Sequence, residues 1–164
     1  MDSNKLNWVA QFNYLGYIFY SESKNKEHRE VEKRLQSMKV MANVIATPFK
    51  NTADAVKELI FRTYFSNTYC MSIWMISAKM QKSAQVAHND CFRACFKIRG
   101  AHSITELFKK HKICNFNDMR KRSIQSLQSR IQCNDNDIVS AIYNCTLYFD
   151  SDLYKSWISV FRET

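Results

Sequence analysis

The amino-acid sequence predicts a mainly α fold: a bundle of about six or seven helices preceded by one short N-terminal strand or hairpin. Three observations carry this. Two glycines and one proline in 164 residues fall far below ordinary usage of about 7% and 5%, which argues against an all-β sandwich or barrel. Apolar residues recur at three-to-four spacing along most of the chain. A hydrophobic content of 46% suffices for one domain with a real core.

Element by element, "VAQFNYLGYIFY" (9–20) is aromatic, alternating and glycine-containing, and reads as a half-buried strand. Val31, Leu35, Met38, Ala42 and Ile45 then form the stripe of an amphipathic helix that Pro48 ends. Its first half is dense in charge, which on an isolated helix is a solvated face with i,i+4 pairs. The segment 51–75 opens on Asn51 or Thr52 as N-cap, with Asp54 in the first turn. Ala53, Val56, Ile60 and then Tyr64 or Phe65 continue its stripe, and it turns apolar all round by Trp74, predicting the most buried helix. Its aromatics Tyr64, Phe65, Tyr69 and Trp74 read as core rather than as a base-stacking platform.

The next helix places Met80, Ala84, Ala87, Cys91, Ala94, Cys95 and Ile98 on one face, with Gly100 as its stop. Ser103 and Glu106 form a capping box ahead of Leu107 and Phe108. From an Asn117 cap, Arg120, Ile124, Leu127 and Ile131 keep the helical period. A further helix follows Asp135 to Asp137 with Ile138, Ile142, Cys145 and Phe149, and a last one follows Asp150 to Asp152 with Leu153, Trp157 and Phe161.

No apolar run is long enough for a membrane span and no secretory leader is evident, so an intracellular protein, in cytoplasm or nucleus, is expected. Cys70, Cys91, Cys95, Cys114, Cys133 and Cys145 are scattered without a C-x-x-C, and no disulfide is expected. The formal net charge is +9, and nearly all of the excess lies in residues 79–122, where eleven cations face three acids. Such a local excess is the footprint of a polyanion partner or a solubilising surface, and composition alone leaves both open.

Glycine occurs only at positions 16 and 100, which excludes a P-loop, a dinucleotide fingerprint and a nucleophile elbow, since each needs closely spaced glycines. Asp135 and Asp137 precede an apolar-periodic run and read as cap and first-turn acids rather than metal ligands. His88, Cys91 and Cys95, with His111 and Cys114 repeating the H-x-x-C spacing, form a possible tetrahedral zinc set. The two helix cysteines share their face with Ala84, Ala87 and Ile98, so the core reading is preferred and neither metal nor cofactor is expected.

Several pieces in order, "FNYLGYIF", a charged helix, "LIFRTYFSNTYCMSIW", "AHNDCFRACFKIRG", "ITELFKKHKICNF" and "SDLYKSWISVF", resemble the C-terminal region of reverse transcriptases of LINE-type, non-LTR retrotransposons. The resemblance runs from about Val9 to Phe161. It implies a palm-derived remnant over 1–22 and a helical thumb-like domain over 23–164. Phe12, Tyr14, Leu15 and Gly16 would match the family's tract at the end of the palm, near the primer-grip hairpin. Cys70 and Trp74 would match the end of a thumb helix, and Asn89, Arg93 and Gly100 the next helix and its stop. The family's aromatic-x-Asp-Asp motif, whose carboxylates hold the metals of polymerisation, does not occur here. The expectation is therefore a non-catalytic remnant or fragment.

The family's thumb packs along the template-primer duplex, which implies an RNA or DNA duplex as partner, bound without sequence specificity through phosphates. Two surfaces are expected to carry it. One is the first helix, with Lys24, Lys26, Arg29, Lys33 and Arg34; the other comprises Lys82, Arg93, Lys97, Arg99 and the run Arg120, Lys121 and Arg122. The alternative is a repurposed protein-interaction or self-associating domain with no nucleic-acid role, its exposed apolar side binding a second copy or another protein. The N-terminal strand is expected to lie against the helices rather than in a larger sheet.

Overall fold

The computed structural model describes residues 9–21, 24–66, 68, 70–99 and 102–162, with 24–27 described by backbone alone. The chain opens with an antiparallel hairpin of β1 (Gln11–Tyr14) and β2 (Tyr17–Tyr20), in register Gln11 to Tyr20 and Tyr14 to Tyr17. Leu15 and Gly16 form its two-residue loop with φ of 48° and 77°, the doubly positive pattern of the type I′ turn that matches strand twist. The predicted single strand is thus a self-paired hairpin, and among the described residues it belongs to no larger sheet. Tyr17 is buried and joins the core, while all of β1 is exposed. The boundary expected between residues 22 and 23 lies outside the described residues.

Among the described residues eight helices follow: α1 (Lys24–Ala46), α2 (Asp54–Phe65), α3 (Ala78–Phe96), α4 (Ile104–Lys110), α5 (Phe116–Gln132), α6 (Asp137–Tyr143), α7 (Thr146–Asp150) and α8 (Asp152–Arg162). The α1 stripe is the predicted one, with Val31, Leu35, Met38, Ala42 and Ile45 all buried, and it packs along α3. The segment 51–75 is not one helix. α2 stops at Phe65, Cys70 turns left-handed at φ 59°, and Met71–Ile73 form a single 3-10 turn. Ser66 and Thr68 are poor helix formers that compete with the backbone for hydrogen bonds, which accounts for the break. α2 buries only Phe61 and Phe65, leaving Leu59 and Tyr64 exposed, whereas α3 buries eight residues and is the central helix.

Helix termini differ from expectation in instructive ways. Ser77 caps α3 by accepting from Met80 N. α3 then ends in a Schellman motif: Ile98 N donates to Arg93 O at 3.0 Å and Lys97 N to Ala94 O at 3.3 Å. The left-handed residue is Lys97, φ 53°, so the helix stops ahead of Gly100, which itself lies outside the described residues. α4 repeats the device with Lys112 at φ 51°, Ile113 N donating to Phe108 O and Lys112 N to Lys109 O. Ser103 precedes α4 without a side-chain cap bond, so the capping box is not closed. Asn115, not Asn117, caps α5, accepting from Asp118 N at 2.9 Å. Asn136 caps α6, placing Asp137 in its first turn as the sequence predicts. The helix expected beyond Asp137 is broken into α6 and α7 at Asn144 and Cys145.

The core has two parts. The larger gathers α1, α2, α3, α4 and the start of α5 around Phe61, Phe65, Trp74, Phe92 and Phe116. The smaller joins Ile124 of α5 to Trp157 and Val160 of α8. Trp157 Nε1 donates to Ser72 O at 2.6 Å, fastening the last helix to the 3-10 turn. Among the described residues no helix is long and apolar enough to cross a membrane.

Candidate nucleic-acid interface

Eight of the eleven cations in 79–122 are exposed, on three consecutive helices and the turns between them. Helical geometry decides which of them face outward, because each residue turns the side chain about 100° from the last. Lys82 and Lys97 of α3, and Arg99 just beyond it, are exposed. Arg93 is half-buried, and its Nη2 donates to His102 O at 2.8 Å, bridging α3 to the segment that leads into α4.

The run Arg120 to Arg122 does not act as one surface. Arg120 is 1% exposed, and its guanidinium donates to Trp74 O at 2.8 Å and to Gln81 Oε1. It is a core residue bridging α5, α3 and the 3-10 turn, and its place among the phosphate contacts is corrected accordingly. Lys121 is half-buried and Arg122 exposed.

On the first helix, Arg29 and Lys33 are exposed one turn apart. Arg34 is engaged otherwise: its Nε lies 3.0 Å from Glu30 Oε1 and its Nη2 donates to Gly16 O. That pair ties the hairpin turn to α1. Lys24 and Lys26 lie on the helix, with side chains outside the described set. In the hairpin, pairing of Phe12 with Phe19 and of Tyr14 with Tyr17 puts four aromatics on one face. Phe12, Tyr14 and Phe19 remain exposed there, with the Phe12 and Tyr14 rings stacked at 6.2 Å. Gly16 serves the turn, and a Cβ there would meet open space, so its requirement is the positive φ alone.

A cleft of about 680 Å³ opens between α2, the α4–α5 turn and one face of α5. Arg62, Lys112, Arg122 and Arg130 line it, and among the described residues no carboxylate does. Of these cations only Arg122 stands out in sequence as a candidate. Arg62 and Lys112 are brought together by tertiary structure, Arg62 Nη2 donating to Lys112 O at 2.9 Å and to His111 O at 3.1 Å. The sequence signal for Arg130 is its i+8 spacing from Arg122 on the same helix face.

The histidine and cysteines of the zinc alternative are spread through the aromatic core. His88 is 0% exposed, with Phe61, Phe108 and Phe116 rings around it. Burial holds its pKa down at about 4, so the ring is neutral. Burial likewise pushes the Cys91 thiol up to about 12 and the Cys95 thiol up to about 11, away from the thiolate form that binds metal or attacks electrophiles. His111 Nδ1 turns instead to Glu58 Oε1 at 2.8 Å. Among the described residues, no group of three or more His, Cys, Asp or Glu side chains is placed to hold a metal ion.

Compared with known proteins, the chain matches no family model, no curated protein and no solved structure at a significant level.

Proposed function

We propose that the protein is a non-catalytic, thumb-like helical domain of the non-LTR reverse-transcriptase type that binds a nucleic-acid duplex without sequence specificity. The observation that carries this reading is the concentration of exposed cations between residues 79 and 122, eight of them at the surface, against three acids in the same window. Lys82, Lys97, Arg99 and Arg122, with Arg29 and Lys33 of α1, would contact phosphates and release counterions. Flexible lysines and arginines on the outside of helices position a backbone and carry no base readout. The sequence resemblance supplies the nature of the partner.

The test is a titration of a labelled DNA or RNA duplex against the whole chain at two salt concentrations. With about six phosphates neutralised, affinity should fall roughly two-thousandfold between 50 and 200 mM salt. Absence of binding at the lower salt, or indifference to salt, refutes the reading.

A second reading is favoured by a different observation. The hairpin exposes Phe12, Tyr14, Leu15 and Phe19, and α6 and α7 expose Ile138, Ile142, Leu147 and Phe149. Apolar surface of this kind is what a self-associating or protein-binding domain presents. Sedimentation over a hundredfold range of protein concentration separates the two, since a constant monomer mass removes self-association as the role.

A further inference from the structure

The cleft beside α5 has the chemistry of an anion site more sharply than the open basic helices do. Its volume of about 680 Å³ lies inside the roughly 300–1,000 Å³ range of ligand pockets. Buried Ile113 and Met119 form the floor, while the polar lining consists of cations and hydroxyls, among them Ser123 and Ser126. Among the described residues, none of Lys112, Arg122 and Arg130 takes part in a salt bridge. Arg62 is held by two backbone carbonyls, which fix its position and leave its charge uncancelled. Four like charges around one concavity raise the local potential, and an anion relieves their repulsion.

The spacing suits a run of phosphates. Arg122, Ser126 and Arg130 stand at i, i+4 and i+8 on one face of α5, which spreads the two guanidinium stems over about 12 Å of helix axis. A nucleic-acid strand carries one charge per about 3.4 Å of axis, so this edge spans roughly three phosphates. Each arginine presents a fork suited to two phosphate oxygens, and a serine hydroxyl between them donates to a third.

We propose that this cleft is an oligophosphate-binding site that takes consecutive phosphate groups, with Arg122, Arg130 and Lys112 on the phosphate oxygens and Ser126 between the two arginines. For its natural source of phosphates the site rests on the nucleic-acid reading above, because a strand's backbone and a free polyphosphate present the same chemistry. Arg62 is a positioning residue that holds the α4–α5 turn, and with it Lys112, against α2.

The experiment measures fluorescence anisotropy of a labelled duplex on the full chain, with inorganic tripolyphosphate as competitor. Arg122→Glu/Arg130→Glu is compared with Lys50→Glu/Lys155→Glu, which makes the same change in net charge at positions that do not line the cleft. The cleft variant should bind the duplex roughly a hundredfold more weakly and the control roughly tenfold or less, since the cleft variant forfeits direct phosphate bonds as well as the general field that both variants weaken. Tripolyphosphate should displace the duplex from the wild type. Ser126→Asp, an acid placed at one exposed position of the same face, should reproduce the cleft loss, and circular dichroism identifies any variant that has not folded. Equal losses in the two double variants overturn the cleft while leaving the nucleic-acid reading standing. Tripolyphosphate binding that only the cleft variants lose, without any duplex binding, overturns the nucleic-acid reading and keeps the site. Binding of neither ligand overturns both.

Discussion

His88 and Arg120, both almost wholly buried, meet the cost of burial in opposite ways. Arg120 commits its two terminal nitrogens to Gln81 Oε1 and the Trp74 carbonyl. His88 gives up its charge, and neither of its buried ring nitrogens has a hydrogen-bond partner among the described residues. Its pKa of about 4 stands against 6.5 in an unfolded chain. Between those values the unfolded chain takes up a proton that the folded one refuses, so stability rises with pH across that window and is lost as pH falls toward 4. The full difference amounts to about 3 kcal/mol. His88→Leu should flatten this part of a urea-midpoint series between pH 7 and pH 4.5, and should itself stabilise by about 1–2 kcal/mol, because two unpaired buried nitrogens are removed. A variant whose midpoint still falls with acid as steeply as the wild type's would sink the assignment. The burial of Arg120 was legible in the sequence: it shares the helical stripe of Ile124, Leu127 and Ile131. Only the neighbouring Lys121 and Arg122 made it look like part of a surface patch. His88 stands only at the edge of the stripe that pointed Cys91 and Cys95 to the core, so its full burial emerges only in three dimensions.

Helices that buried a clean stripe were legible, and their ends were less so. The α1 stripe is reproduced residue for residue because α1 has one main partner surface, along α3. In α2 the apolar residues outnumber the places in the core, and packing against α3 selects Phe61 and Phe65 over Val56 and Tyr64. Glycine is the usual left-handed residue at a helix end, yet α3 and α4 both end on lysine, at Lys97 and Lys112. That choice has a cost, since a side chain disfavours positive φ. Lys97→Gly should therefore raise the stability of the protein by about 0.5–1 kcal/mol, read as a higher urea midpoint, while weakening duplex binding by removal of one phosphate contact. Loss of stability in this variant would mean that the Lys97 side chain packs usefully. The hairpin accepts the same strain at Leu15, φ 48°, where an asparagine or glycine would sit more easily.

Across the whole molecule, the predicted fold class holds: a helical bundle behind a short hairpin. Eight of the eleven cations in 79–122 are exposed, because lysines and arginines outside an apolar stripe stay outside the core. The cleft could not be read in advance. Arg62, Lys112 and Arg130 are separated by long stretches of chain and by unremarkable local sequence, and only the packing of α2 against the α4–α5 turn assembles them. The division of the core was similarly hidden, since Met119 and Ile124 lie only five residues apart on α5 yet point about 140° apart around it and belong to different clusters. That division gives synthesis a timetable. The larger cluster is complete in sequence by Met119, whereas the face of α5 around Ile124 is not fully covered until Trp157 and Val160 join Tyr148 and Leu153. At translation rates of about 5–20 residues per second, the ribosome holds that apolar face open for roughly two to seven seconds. During that interval the nascent chain carries a partly uncovered apolar surface that the finished protein no longer shows, its largest cover being Trp157, which is fastened to Ser72 O in the folded chain.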